Sequence, residues 1–180
     1  MTVKGWWSKS RGLPAADYAS WSSSLVAQSS RPLRILAWAS TPEGFAVASP
    51  SVLSYSAAGE AGDDWVHLGW HEIERGGWDA DSSRLGWVRY GGERGGVELR
   101  EPGRLPEVFR ERVAASIVLE DSVAILGRQV LVVARRDLAE GDQPITWHST
   151  LGRGLSWRTE GVQAAVDEAV ARVRTEYNLG

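Results

Sequence analysis

The chain is predicted to be a β-rich α+β protein, on three observations. Between Leu33 and Glu101, about seven short strand-like runs alternate with turn-sized loops. One amphipathic helix follows them. The last sixty residues then supply three more strand-like runs and a terminal helix, the clearest helix signal in the sequence.

The elements follow in order. LPAADYASWSSSLVAQ, from Leu13, reads as a short helix with Pro14 in its first turn and Tyr18, Trp21 and Leu25 on one face. SSRP ends it. From Leu33 the period shortens to two: LRILAWAS, GFAVAS and VLSYS are strands, the first two joined by the turn TPEG. AAGEAGDD (57–64) is a small acidic loop. WVHLGWHEIERGGWD gives one long or two consecutive strands, SRLGWVRY another, GGERGG a hairpin loop, and GVELRE closes the set. In EPGRLPEVFRERVAASIVL the stripe Leu105, Phe109, Val113 and Ile117 marks a helix with Pro106 near its first turn.

SVAIL, QVLVVARRD and ITWHSTL are the later strands. Thr159 is placed to cap the final helix, whose stripe is Val162, Val166, Ala169, Val170, Val173 and Tyr177; Arg172 and Arg174 suit its negative end. The expected organisation is an N-terminal segment with a short helix (1–32), a strand-and-helix unit (33–120), and a β-meander with its helix (121–180). The last strands are apolar on both faces, Val130, Val132 and Ala134 alternating with Leu131 and Val133. One helix covers one face, so the other must meet the first unit or a second subunit.

Composition narrows the function. Of 180 residues none is cysteine, which removes disulfides, thiolate nucleophiles and thiolate-bound metals. The net charge is −3; residues 121–180 carry seven basic and eight acidic groups, leaving thirteen and fifteen before them. No basic block stands out, so nucleic acid is not an expected partner. MTVKGWWSKSRG has a Lys without an apolar run behind it, and no stretch approaches the ~20 apolar residues of a spanning helix. A cytoplasmic protein is the expectation.

Ten tryptophans set a sharper question. Read as strand, Trp70 shares a face with Val66 and Leu68, with Ile73 on the other, and Trp87 shares a face with Leu85. Aliphatic company points to core, so Trp70 and Trp87 should be buried, and Trp78, after Gly76–Gly77, should cover a bend. The alternative is an aromatic surface that grips a ligand.

Seven strands and a capping helix over residues 33–119 resemble the pleckstrin-homology (PH) superfold. RILAWAS, GFAVAS–VLSYS, GWHEIERGGWD–RLGWVRY, and ARRD with the Trp after it are similar to a pattern in uncharacterised PH-like proteins of actinobacteria. The resemblance implies an antiparallel, partly open PH-like β-barrel capped by the helix, with the β-meander and C-terminal helix beside it. It also implies peptide binding along the strand next to the capping helix. Lipid-binding members bring Lys and Arg to the first hairpin loop. Here that loop, STPEG (40–44), carries Glu43 and no basic residue, and AAGEAGDD is acidic, so anionic membranes are expected to be repelled.

Chemistry is sparse. His67, His71 and Glu72 would make a zinc pair on a helix, but Gly69 and β-type neighbours favour a strand, where the histidines stand roughly 13 Å apart. No metal and no cofactor is expected. GGERGG and LGRGL lack the setting of a phosphate cradle, and there is no G-x-S-x-G elbow. The carboxylates of WDAD and GDD suit turns.

Arg135 and Arg136 point to opposite faces, and Trp147, Arg153, Trp157 and Arg158 follow. Guanidinium and indole groups together hold carboxylates, phosphates or aromatic rings, so Arg135, Arg136, Trp147, Arg153 and Trp157 form the candidate ligand-binding set. The alternative is that one Arg pairs with Asp137, Glu140 or Asp142 and the tryptophans pack on the last helix. The expected function is non-enzymatic binding or scaffolding, through protein or peptide recognition. The alternatives are a small-molecule site lined by Trp between the two units, and a hydrolase with carboxylate or Arg chemistry.

Overall fold

A computed structural model describes residues 12–25, 33–56, 65–139 and 141–179. Among these residues the architecture is α+β, with three antiparallel sheets and three helices. Helix α1 spans Ala15–Leu25. Strands β1 (Ala37–Thr41), β2 (Gly44–Ala48), β3 (Val52–Ser56) and β4 (Trp65–Gly69) form a four-stranded sheet in sequential order. Strands β5 (Ile73–Asp79), β6 (Arg84–Arg89) and β7 (Arg94–Glu98) form the second sheet, and α2 spans Leu105–Ala115. Strands β8 (Ile117–Ile125), β9 (Arg128–Arg136) and β10 (Ile145–Leu151) form the third, ordered β10-β9-β8, and α3 spans Val162–Glu176. The expected elements are all present, but the strands lie in separate sheets and close into no barrel among the described residues. No described helix is long and apolar enough to cross a membrane.

A 3-10 turn at Trp70–Glu72 makes the corner between the first two sheets, fixed by the Gly69 N–H donating to Glu72 Oε1 at 3.0 Å. The corner breaks strand alternation. Trp70 and Ile73 therefore point the same way, into one core with Leu68, Leu85, Trp87 and Phe109, while Val66 is exposed. This corrects the expectation of Ile73 opposite Trp70 and of Val66 beside it. Burial of Trp70 and Trp87 stands as expected (0% and 5% exposed). Trp78 is not at a bend: it sits within β5 opposite Leu85, half-buried against the same core.

Helix α2 closes that core from below β5. A Cβ at Gly76 would meet the Phe109 ring at 2.8 Å and the Gly86 carbonyl at 2.6 Å, so only glycine lets the helix lie this close. On the other face of the first sheet α1 buries Trp21 and Leu25 against Val47 and Val52, and Tyr18 stays exposed. His67 joins the two, its ring nitrogens 2.8 Å from Ser54 Oγ and 3.0 Å from Ser24 Oγ. The end of the predicted first helix and the acidic loop 57–64 lie outside the described residues.

Three boundaries shift in the C-terminal part. β8 starts at Ile117, directly after α2, so the expected division at 120/121 falls inside a strand and Ile117 is not on the helix stripe. Gly161, in the left-handed region at φ 80°, occupies the N-cap position assigned to Thr159. Tyr177 lies past the helix end and is exposed. Of the third sheet's two faces, Val130 and Val132 pack under Val162, Val166, Ala169 and Val173 of α3. On the opposite face, which carries Val133, Arg135 bonds to Tyr90 at the end of β6 and to the Glu74 carbonyl of β5. At Arg135 this face therefore contacts residues of the first unit.

Candidate binding groove at the edge of β10

Among the described residues strand β10 pairs only with β9, which leaves one edge of it unpaired there. Gly152 donates its N–H to Gln129 of β9 at 2.9 Å, and antiparallel pairing alternates along a strand. Thr146, His148 and Thr150 therefore turn their backbone groups to β9, while Ile145, Trp147, Ser149 and Leu151 turn theirs to the open edge. No described backbone group bonds that edge.

Walls rise on both sides of it. The side chains of Trp147, Ser149 and Leu151 share the α3 face, with Gln163, Asp167, Val170 and Arg174 opposite them. His148 and Thr150 share the other face, against the β6–β7 turn, where Gly91 and Gly92 have φ of 100° and 91°. Two cavities of about 570 and 600 Å³ flank the edge and have Tyr90, Gly91, Ser149 and Trp157 in common. Trp157 is 47% exposed, a large apolar surface left bare in a groove.

Beneath the groove lies Arg135, 3% exposed. Its guanidinium donates to the Tyr90 hydroxyl (3.1 Å), the Val113 carbonyl (2.8 Å), Ser116 Oγ (2.8 Å) and the Glu74 carbonyl (3.4 Å). All four acceptors are neutral, and Asp137 instead lies 3.6 Å from His71. Arg135 so ties the third sheet to α2, β5 and the end of β6, and it fixes the Tyr90 ring. That ring stacks on His148, with centroids 3.6 Å apart. Thr150 adds a bond to Glu74 Oε1 at 3.1 Å.

Of the five candidate residues the fold brings Trp147 and Trp157 to the groove, with Arg135 as its buried support. Arg136 and Arg153 are not brought to this groove: both are exposed and line neither cavity. Arg136 ends β9 on the face opposite Arg135, and Arg153 lies in the β10–α3 connection. Arg158, next to Trp157, does line the groove. Tyr90, His148, Ser149 and Arg174 carry no sequence signal that marks them as site residues. His148 is remote in sequence from the other histidines, and Tyr90 lies in the β6–β7 turn; only the packing of that turn on β10 joins them.

His148 is held below the ordinary histidine pKa, first by burial and then by the nearby charges of Arg135 and His71, against a smaller opposing pull from Glu74. Burial lowers His67 likewise. A depressed folded-state histidine binds fewer protons than the unfolded one, so stability is lost as pH falls below about 6.5, the unfolded value. Thermal melts from pH 7.5 to 5 should show a falling Tm, and His148→Gln should flatten part of that fall. An unchanged slope in the variant would remove His148 from the account.

No family model, curated protein or solved structure matches this sequence.

Proposed function

We propose that this is a non-enzymatic recognition protein that binds an extended peptide by adding it as a strand to the open edge of β10. The carrying observation is that edge itself: outward-facing backbone groups of Trp147, Ser149 and Leu151 at the floor of an aromatic-walled groove. Backbone pairing would supply affinity, and alternate side chains of the peptide would fall to the α3 wall and the Tyr90–Gly91 wall.

In this reading residues 33–119 are a PH-like unit. Four strands, then three, then a capping helix support it, as does the bond from the Arg100 N–H to the Ser40 carbonyl (2.9 Å), which ties the segment after β7 back to β1. In PH-like barrels the peptide edge is the strand beside the capping helix. Here that strand is β5, and its Glu74 carbonyl accepts from Arg135 of the protein's own third sheet. The third sheet thus stands where a peptide would start, and offers β10 in exchange.

The test is Ser149→Pro. The Ser149 N–H faces outward, so proline spares the β9 ladder while removing a donor from the edge. Binders panned from a peptide display library on the full-length protein should lose about tenfold in affinity for this variant, with its melting unchanged. Full affinity in a folded Ser149→Pro protein would sink strand addition. A small-molecule site between Trp147, Trp157 and α3 is the second reading, favoured by the same bare Trp157. An organic ligand there would bind the proline variant as well as the parent.

A further inference from the structure

We infer that the cavity between β10 and α3 receives a carboxylate, carried by the strand that β10 recruits. The inference rests on strand addition for the source of that group, and on three features of the cavity wall for its chemistry.

The first is an orphan donor. Trp147 Nε1 is buried and has no hydrogen-bond partner among the described residues. A buried indole N–H without an acceptor is unfavourable; Trp70 and Trp65 satisfy theirs, on the Ser49 carbonyl and Ser20 Oγ, and Trp21, which also has no partner among the described residues, is sealed in the α1 core, whereas Trp147 lines a cavity. The second is a cation over the same ring. The Arg174 guanidinium lies 5.8 Å from the Trp147 ring centroid and makes no hydrogen bond or ion pair with any described residue. Both line one cavity, and both only donate. The group that completes them must accept from an indole N–H and a guanidinium together, and a carboxylate does so with charge assistance.

The third feature is the surroundings. Asp167, the acidic residue of this wall, already accepts from Gln163 Nε2 at 2.9 Å, which directs its Oδ1 along the helix. Val166 and Val170 line the same space and give it an apolar side, while Arg174 itself is exposed at its mouth. The peptide residue beside Trp147 on the α3 side would therefore be Asp, Glu or the peptide's own C-terminal residue, with apolar neighbours two positions away.

The indole N–H resonance of Trp147 reads this directly. It is assigned in the labelled full-length protein by its loss in Trp147→Phe. The probes are N-acetylglycinate for a peptide terminus, N-acetylisoglutamine for a glutamate side chain, and N-acetylglycinamide as the neutral control, all at constant ionic strength. The expected result is a saturable shift of that resonance with one or both carboxylates and none with the amide. Arg174→Leu should weaken the response about tenfold or more, and Arg174→Lys should keep part of it. Whichever carboxylate binds tighter identifies the terminus or the side chain as the source. A response to the amide equal to that of the acids, or one undiminished in Arg174→Leu, overturns the inference. The small-probe titration needs no added strand and the Ser149→Pro test needs no free carboxylate, so a failure of the carboxylate site and a failure of strand addition give different results.

Discussion

Trp70→Ala is expected to lower the unfolding free energy by about 3–5 kcal/mol, among the largest effects of any single substitution in the protein. Trp70 is fully buried, and its ring meets Phe109 edge-on at 5.9 Å. Three consequences of truncation add. The indole volume is lost at the junction of β4, the 3-10 corner and α2, where Leu68, Ile73 and Phe109 are fixed by their own elements and cannot collapse into the gap. The edge-to-face contact goes with it. The Ser49 carbonyl then loses the Nε1 donor at 3.1 Å, in a segment that is itself buried. Trp70→Phe separates these effects, because it keeps most of the apolar area and removes only the donor and part of the volume. It should cost less than half as much. Urea denaturation of both variants, with unchanged m-values, is the measurement. A loss below about 1 kcal/mol for Trp70→Ala would mean that the corner is not a packed junction.

That corner also marks where sequence reasoning stops. Periodicity found every strand on either side of it, because β-branched and aromatic residues alternate there as a half-buried sheet requires. It assigned Val66, Leu68 and Trp70 to one face because nothing in WVHLGWHEI announces three residues of 3-10 geometry. Glu72 is the missing signal, and it is legible only afterwards: its carboxylate accepts from the Gly69 N–H and pairs with Arg89. The same limit governs the site. The opposite facing of Arg135 and Arg136 follows from alternation alone. Which of them is buried depends on Tyr90 and Ser116, far away in sequence. Trp147 and Trp157 were selected by residue type and belong to the groove, whereas Arg153 was selected by the same rule and does not. An arginine's charge marks a candidate; only the sheet order, with β10 at the edge, decides which side chains share its groove.

A protein ending at Glu120 is expected to aggregate rather than fold, and the position of β8 explains why. The cut leaves Ile117–Glu120, the first half of that strand, without β9 to pair with. Ile117, Val118 and Leu119 are half-buried in the intact protein and would form a short apolar edge open to other copies. Loss of β9 also removes Arg135, whose guanidinium holds the end of α2 through the Val113 carbonyl and Ser116 Oγ and pins Glu74 and Tyr90 to it. The C-terminal fragment from Asp121 is no better placed. It lacks the start of β8, and α3 covers one face of its sheet, leaving Val133 bare on the other. A second truncation, ending at Ser116, removes the dangling strand and so isolates the contribution of Arg135 and its sheet. If the interface is integral, this shorter protein should also lose its near-UV signal and cooperative melt. A soluble, cooperatively melting protein ending at Ser116 would show that the third sheet is a separable module, and that only the unpaired half of β8 spoils the longer fragment.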